Sequence, residues 1–391
     1  MNGPSKKIAG TIYARQALLP EGFRDQLAPA AEQEALIVRS LVDSFHSHGY
    51  DSVSPPTVEY EDSLLVGAGA ARGPQMFRVM DPDTQRMMAV RTDMTVQTAR
   101  LAATRLADAP RPLRLAYSGN VLRTKGSQIR PARQFVQAGV ELVGCDSLDA
   151  ELEVIAVAVE GLQNVGIEGV SVDLTTAPLA RALCEEFGFD ETATNHILEA
   201  LDAKDVGALE SLPSDAKNIF GQLLASAGTA DRAVDLMQAI GLSGAAGELV
   251  DRVATLVAML ATRLPDLSLT VDPCETHGFE YKTGIGFALF AKGGKGELGR
   301  GGRYNVVYPD GHAEEAVGFS VYLDSLMAVL PLADLPKKLY LPYGTKLEVA
   351  ANLRNEGWRT IQGLTEGGES LKEAARLGCS HIYSEGAVSA L

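Results

Sequence analysis

The chain has 391 residues, more than one ordinary domain of about 100–200 residues holds, so two or three units are expected. Lys and Arg number 35 against 50 Asp and Glu, a formal net charge of −15 with a pI of about 4.9, which argues against a chain that coats nucleic acid. The 46% apolar and 22% charged content is that of a globular protein, and no apolar run approaches the ~18–20 residues of a membrane span.

Residues 1–16 hold no apolar h-region, so no secretory signal is expected. Cys145, Cys184, Cys274 and Cys379 lie far apart without a CxxC pair, which fits reduced, buried thiols in a cytoplasmic protein rather than zinc or disulfides. HExxH, P-loop and GxSxG motifs are absent, and neither a cofactor nor a metal is expected.

In chain order, residues 29–48 read as a helix, with Pro29 at its start, Leu36, Ile37, Leu41 and Phe45 on its apolar side and Gly49 closing it. A short β-like run at 51–54 is stopped by Pro55-Pro56. Brief β-rich runs follow at 76–80, 87–90, 113–117 and 135–143, with the lengths and spacing of an antiparallel sheet with hairpins. Residues 150–162 are helical, and the alternation of Val170, Val172 and Leu174 marks a half-buried strand.

From about 178 to 262 helix formers dominate and β-branched runs vanish, the texture of a helical insertion, with 13 acidic residues against 5 basic ones. Strand character returns at 270–271, 285–291 and 317–321, and a helix is expected near 324–330. Residues 331–336 read as a linker. The tail at 337–391 reads strand, helix, strand, helix, strand, with 7 acidic and 7 basic residues after 330. The expected organisation is a core over 1–330, interrupted by the insertion, and a small α/β unit over 337–391.

A literal G-x-G-x-x-G spans 294–299, but Arg300-Gly301-Gly302-Arg303-Tyr304 after it reads as turn and strand. A dinucleotide loop must lead into a helix whose amides meet the pyrophosphate, so a hairpin loop is expected here. His46 and His48 are two apart near a helix end and share no face, and Trp358 reads as core. Lys337-Lys338 reads as ordinary solvated surface.

Residues 117–123 and 133–144 form two strands around a polar loop. Gln137 and Glu141 are four apart on the second strand and point to one face, where Arg123 from the first could supply a charge-assisted hydrogen bond. A solvated sheet face gives the same pattern.

This segment resembles motif 2 of class II aminoacyl-tRNA synthetases, and of histidyl-tRNA synthetases in particular. Other stretches agree in collinear order over roughly 18–330: Leu19-Pro20-Glu21-Gly22-Phe23-Arg24-Asp25 at the opening, and Pro55-Pro56-Thr57-Val58-Glu59 as the motif 1-like dimerisation element. Further on come Val90-Arg91-Thr92-Asp93-Met94-Thr95, His277-Gly278-Phe279-Glu280-Tyr281-Lys282-Thr283-Gly284, Gly301-Gly302-Arg303-Tyr304, and Gly318-Phe319-Ser320-Val321 approaching motif 3. The resemblance implies an α+β fold with a six-stranded antiparallel sheet flanked by helices, as a homodimer. It also implies a histidine-binding set: Asp93 and Thr95 for the ammonium, Arg123 for the carboxylate, and Gln137, Glu141 and Tyr281 for the rest of the polar wall.

Three positions depart from the synthetase pattern, all in ATP handling. The catalytic Arg that opens the histidine signature is His277, the motif 2 Glu is Lys125, and the motif 3 Arg is Ser325. Arg offers a permanent charge and a planar fork of donors, and losing one transition-state donor typically costs ~10²–10³ in rate. The second Tyr of the signature is Lys282, and only 61 residues follow Leu330, too few for a full anticodon-binding domain.

With an amino-acid pocket kept and the ATP site dismantled, the chain resembles the histidyl-tRNA synthetase-like regulatory subunits of short-form ATP phosphoribosyltransferase. That resemblance implies no catalysis by the chain alone, a short catalytic subunit as partner in a hetero-octamer, and L-histidine as ligand. It also implies histidine feedback control of the first step of histidine biosynthesis, with no tRNA and no membrane. The alternatives are a divergent histidyl-tRNA synthetase, a tRNA-independent ATP-dependent ligase, and an assembly scaffold with an empty pocket.

Overall fold

The first helix among the described residues runs Ala30–Ser47 in a computed structural model that describes residues 18–126, 130–276 and 282–391. Its buried stripe is Gln33, Ile37, Leu41, Ser44 and Phe45, the spacing of one helical face, while Leu36 is 49% exposed. The helix ends at Gly49, whose φ of +81° suits a residue without a Cβ. It packs on the helix Leu148–Asn164, and the Phe45 ring meets Phe319 edge-on with centroids 5.7 Å apart. Each fully buried side chain of this kind contributes about 1.5–3 kcal/mol.

The strands are, in order, β1 (Asp51–Ser52), β2 (Val58–Tyr60), β3 (Arg78–Met80), β4 (Met87–Val90), β5 (Leu113–Leu122), β6 (Gln134–Val143), β7 (Val170–Thr175) and β8 (Gly228–Thr229). There follow β9 (Ser268–Asp272), β10 (Lys282–Ala291), β11 (Gly299–Val307), β12 (Ala313–Tyr322), β13 (Lys338–Leu341), β14 (Arg359–Gln362), β15 (His381–Ser384) and β16 (Ala387–Ala390).

Nine of them form one sheet in the order β1-β5-β6-β12-β11-β10-β7-β9-β8. The six from β5 to β7 pair antiparallel throughout. Parallel pairing of β1 to β5 and of β9 to β7, with β8 antiparallel beyond, makes the whole sheet mixed. The early runs do not all join it: β2, β4 and β3 form a separate three-stranded antiparallel sheet, cut off by the Pro55-Pro56 break.

The main core lies between the large sheet and the helices over it, and extends through Phe220, Leu223, Leu256 and Leu260 of the helical region. That region holds helices Ala177–Glu186, Glu191–Asp202, Ser214–Ser226, Ala230–Ala239 and Gly244–Arg263. A buried ion pair ties β11 to the helix at 148–164: Arg303 Nε donates to Glu151 Oε1 at 2.8 Å, and both side chains are almost wholly inaccessible. The G-x-G-x-x-G stretch turns β10 into β11, strand to strand, so no helix N-terminus stands behind it.

The chain separates into two compact units at Pro331/Leu332. In the second, β14, β13 and β15 pair parallel and β16 returns antiparallel on β15, flanked by helices Leu347–Asn355 and Ser370–Arg376. Trp358 is half-buried against the small core of Leu339, Leu341, Ala350 and Leu353. All four cysteines are free thiols, and three of them are buried.

Candidate functional site

Gln137, Gly139 and Glu141 alternate along β6 and share one face of the sheet. On β5, Tyr117 stands opposite Gly139, and its hydroxyl donates to Glu141 Oε1 at 3.0 Å. From β11, Tyr304 donates to Glu141 Oε2 at 2.9 Å. It can reach across β12 because the residue between is Gly318, paired with Glu141, where a Cβ would lie 1.8 Å from Oε2.

Burial pushes the Glu141 carboxyl well above its usual value. The Lys282 charge and the hydroxyls of Tyr304, Thr95 and Tyr117 pull the other way without cancelling the burial. Lys282, at the start of β10, is itself buried and donates from Nζ to the Gly302 carbonyl at 3.0 Å. Burial depresses its ammonium, and Glu141 is the main charge opposing that.

Asp93 sits in the turn between β4 and the helix Thr95–Ala103. Its Oδ1 accepts the Thr95 amide at 2.8 Å, which holds the start of a helix whose Thr95, Val96 and Thr98 have poor intrinsic propensity. Arg72 approaches Oδ2 at 3.5 Å. Burial raises the Asp93 carboxyl, but Arg72, the Thr95 amide and Arg123 override it and leave the group below its ordinary value. The Thr95 hydroxyl lies 3.3 Å from that of Tyr117, so the ammonium end and the Glu141 end share one network.

Arg72, Asp93, Thr95, Glu141, Lys282 and Arg300 line a narrow cleft, closed on one side by Gly318, Phe319, Ser320 and Tyr322. The space left among them is about 10 Å³, room for a single water. Two other expected residues stand outside this lining. Gln137 is fully buried behind it, accepting the Met94 amide at 3.0 Å and donating to Ser320 Oγ at 2.6 Å, so both ends of its amide are occupied. Arg123 is close enough to act electrostatically on Asp93, with its guanidinium carbon 5.1 Å from the Phe135 ring centroid and its Nε buried and unpartnered. Tyr281 and His277 lie outside the described residues.

Sequence reasoning missed Arg72, Tyr117, Tyr304 and Ser320 as members of the site, because each comes from a different element. It also missed Arg130, which donates to Ser325 Oγ at 3.0 Å, lies 3.4 Å from Asp324 and stacks 3.9 Å over the Tyr322 ring. Arg130 thus occupies the ground beside Ser325, while Lys125 is exposed. A cleft of about 770 Å³ also has Lys282 in its wall, together with Arg181, Glu185, Asn195, Asp202 and Glu248 among others. Among the described residues no group of three or more His, Cys, Asp or Glu could hold a metal, and no helix is long and apolar enough to cross a membrane.

The family profile described as histidyl-tRNA synthetase matches residues 22–326. A Rhodospirillum centenum protein named ATP phosphoribosyltransferase regulatory subunit is 44% identical over 377 residues, covering 96% of this chain and 97% of that protein. One of the same name from Paramagnetospirillum magneticum is 46% identical, covering 95% and 97%. The crystal structure of an ATP phosphoribosyltransferase regulatory subunit/histidyl-tRNA synthetase from Bacillus halodurans superposes with a TM-score of 0.81 at 25% identity, over 96% and 97% of the two chains. Histidyl-tRNA synthetase from Nostoc sp. PCC 7120 shares the fold, with a TM-score of 0.79 at 20% identity over 95% and 92%. The fold is therefore that of class II aminoacyl-tRNA synthetases, a mixed sheet flanked by helices.

Proposed function

The chain belongs to the family of ATP phosphoribosyltransferase regulatory subunits, built on the histidyl-tRNA synthetase fold, and from that premise we propose that it is a non-catalytic cytoplasmic subunit that carries histidine control to a short catalytic partner. The catalytic chain condenses ATP with phosphoribosyl pyrophosphate, the first step of histidine biosynthesis. This subunit is required for its activity and biases it between active and inhibited states, with histidine binding the two differentially. The assembly is a hetero-octamer, in which this chain pairs with itself through the motif 1-like region at 55–59, and tRNA is not a partner.

One observation carries the reading: Asp93, Thr95 and Glu141 converge on a single buried, hydrogen-bonded cleft, while the neighbouring ground at Ser325 is filled by Arg130. A carboxylate and a hydroxyl can satisfy an ammonium, and the unpartnered Nε of Arg123 suits a carboxylate. Gln137 serves by fixing the Met94 amide, and with it the Asp93 turn. Tyr281 completes the set.

Co-purification with a short catalytic subunit, followed by phosphoribosyltransferase assay with and without histidine, tests the reading. Activity that needs both chains and falls with histidine supports it. Histidine- and ATP-dependent pyrophosphate exchange by the purified chain would instead mark an active ligase. Calorimetry that finds no histidine binding, alone or in the complex, would leave an assembly scaffold.

A further inference from the structure

The cleft is already full. Only about 10 Å³ remains between its walls, whereas about 770 Å³ is open in a second space beside Lys282, and among the described residues Lys282 alone lines both spaces. Its ammonium rests on the Gly302 carbonyl, the residue is 8% exposed, and the Glu141 carboxylate is the opposite charge that most favours the ammonium. Glu141 in turn holds two tyrosine hydroxyls, so Lys282 supplies the cationic part of its surroundings.

The larger space offers the ammonium a second environment. Glu185, Glu199, Asp202 and Glu248 line it, against Arg181 and Arg252. A lysine stem has four rotatable carbons and a compact charge that needs no fixed plane of contact, so it can exchange one acidic surrounding for another. The other charged groups facing the cleft, Asp93, Arg72 and Arg300, are held by ion pairs of their own: Arg72 with Asp93, and Arg300 with Glu297.

We infer that Lys282 is a resident competitor for the cleft. Its ammonium occupies the place of an incoming amino acid's hydrogen-bond-donating side chain opposite Glu141, and the ligand enters only as Lys282 swings into the acidic space beside it. This deepens the reading of the cleft as an amino-acid site and rests on it. The ligand class is an α-amino acid with a side-chain N–H donor, of which imidazole is one. Lys282 therefore lowers affinity, and the site answers to ligand only at concentrations that overcome the displacement.

Titration calorimetry of L-histidine into the full-length protein, native and Lys282→Ala, tests this. Removing the competitor should tighten binding about tenfold to a hundredfold, the equivalent of one charged hydrogen bond no longer displaced. Lys282→Met, which keeps the apolar stem and drops the charge, should tighten it in the same direction and serves if the alanine variant does not fold. Unchanged or weaker binding in both variants overturns the inference, since it would make Lys282 a bystander or a direct ligand contact. No binding to the native protein or to either variant sinks the amino-acid reading of the cleft, and this inference with it.

Discussion

Gly318→Ala isolates the close approach on which the cleft depends. The φ of Gly318 is not in the left-handed region, so alanine meets no backbone strain there. The obstacle is steric: the new Cβ would lie 1.8 Å from Glu141 Oε2 and 2.5 Å from both Glu141 Cδ and the Val140 carbonyl oxygen. Ordinary contact is 3.4 Å or more, so the carboxylate must swing away or β12 must part from β6. Overpacking of this kind costs about 1–3 kcal/mol. The Tyr304 hydrogen bond to the displaced carboxylate is worth about 1.5–3 kcal/mol more. Urea unfolding should therefore show a loss of roughly 2.5–6 kcal/mol, and calorimetry should show weakened or abolished histidine binding. A variant within about 0.5 kcal/mol of the native protein, the range of ordinary surface changes, with histidine binding intact, would refute the account of how Glu141 is held.

Asp93→Ala should weaken histidine inhibition of the complex while leaving its assembly intact; loss of co-purification would make Asp93 a structural residue instead. Asp93 titrates below its unfolded value near 3.8, so its stabilisation is present above that value and is lost as pH falls through the folded one. Acid unfolding followed by circular dichroism should accordingly fall less steeply in Asp93→Asn than in the native protein below pH ~4. Arg303→Ala leaves Glu151 buried without its main cation and should cost about 3–5 kcal/mol in urea unfolding, whereas a loss under about 1 kcal/mol would mean that Arg252 alone suffices for Glu151.

Elements whose pattern is local were legible in the sequence. The helix Ala30–Ser47 announces itself by a periodic stripe and a closing glycine, although the buried residue is Ile37 and not Leu36. A β-rich run placed β6 and alternation placed β7, and the even spacing of Gln137 and Glu141 put both on one face. The collinear motifs gave the synthetase-like sheet. The glycine-rich β11 and the flank of β12 were harder. Gly299, Gly301 and Gly302 read as loop or turn residues, yet they lie in paired strands, because backbone or side chains from neighbouring strands fill the space a Cβ would need. The helix at Thr95 carries β-branched residues and owes its start to Asp93, a tertiary and capping effect that propensity does not report. Tyr117, Tyr304 and Ser320 meet around Glu141 because sheet order brings β5, β6, β12 and β11 together, Arg72 joins them from the segment 67–75, and no window of sequence contains that arrangement.

The proposed role is regulation without catalysis. One measurement bears on it most directly: phosphoribosyltransferase turnover by the short catalytic subunit alone, with this chain, and with this chain plus L-histidine. The account predicts activity only when both chains are present, and its suppression by histidine in a manner weakened by Asp93→Ala. Full activity of the catalytic subunit alone, or inhibition by histidine that is indifferent to this chain, would contradict it.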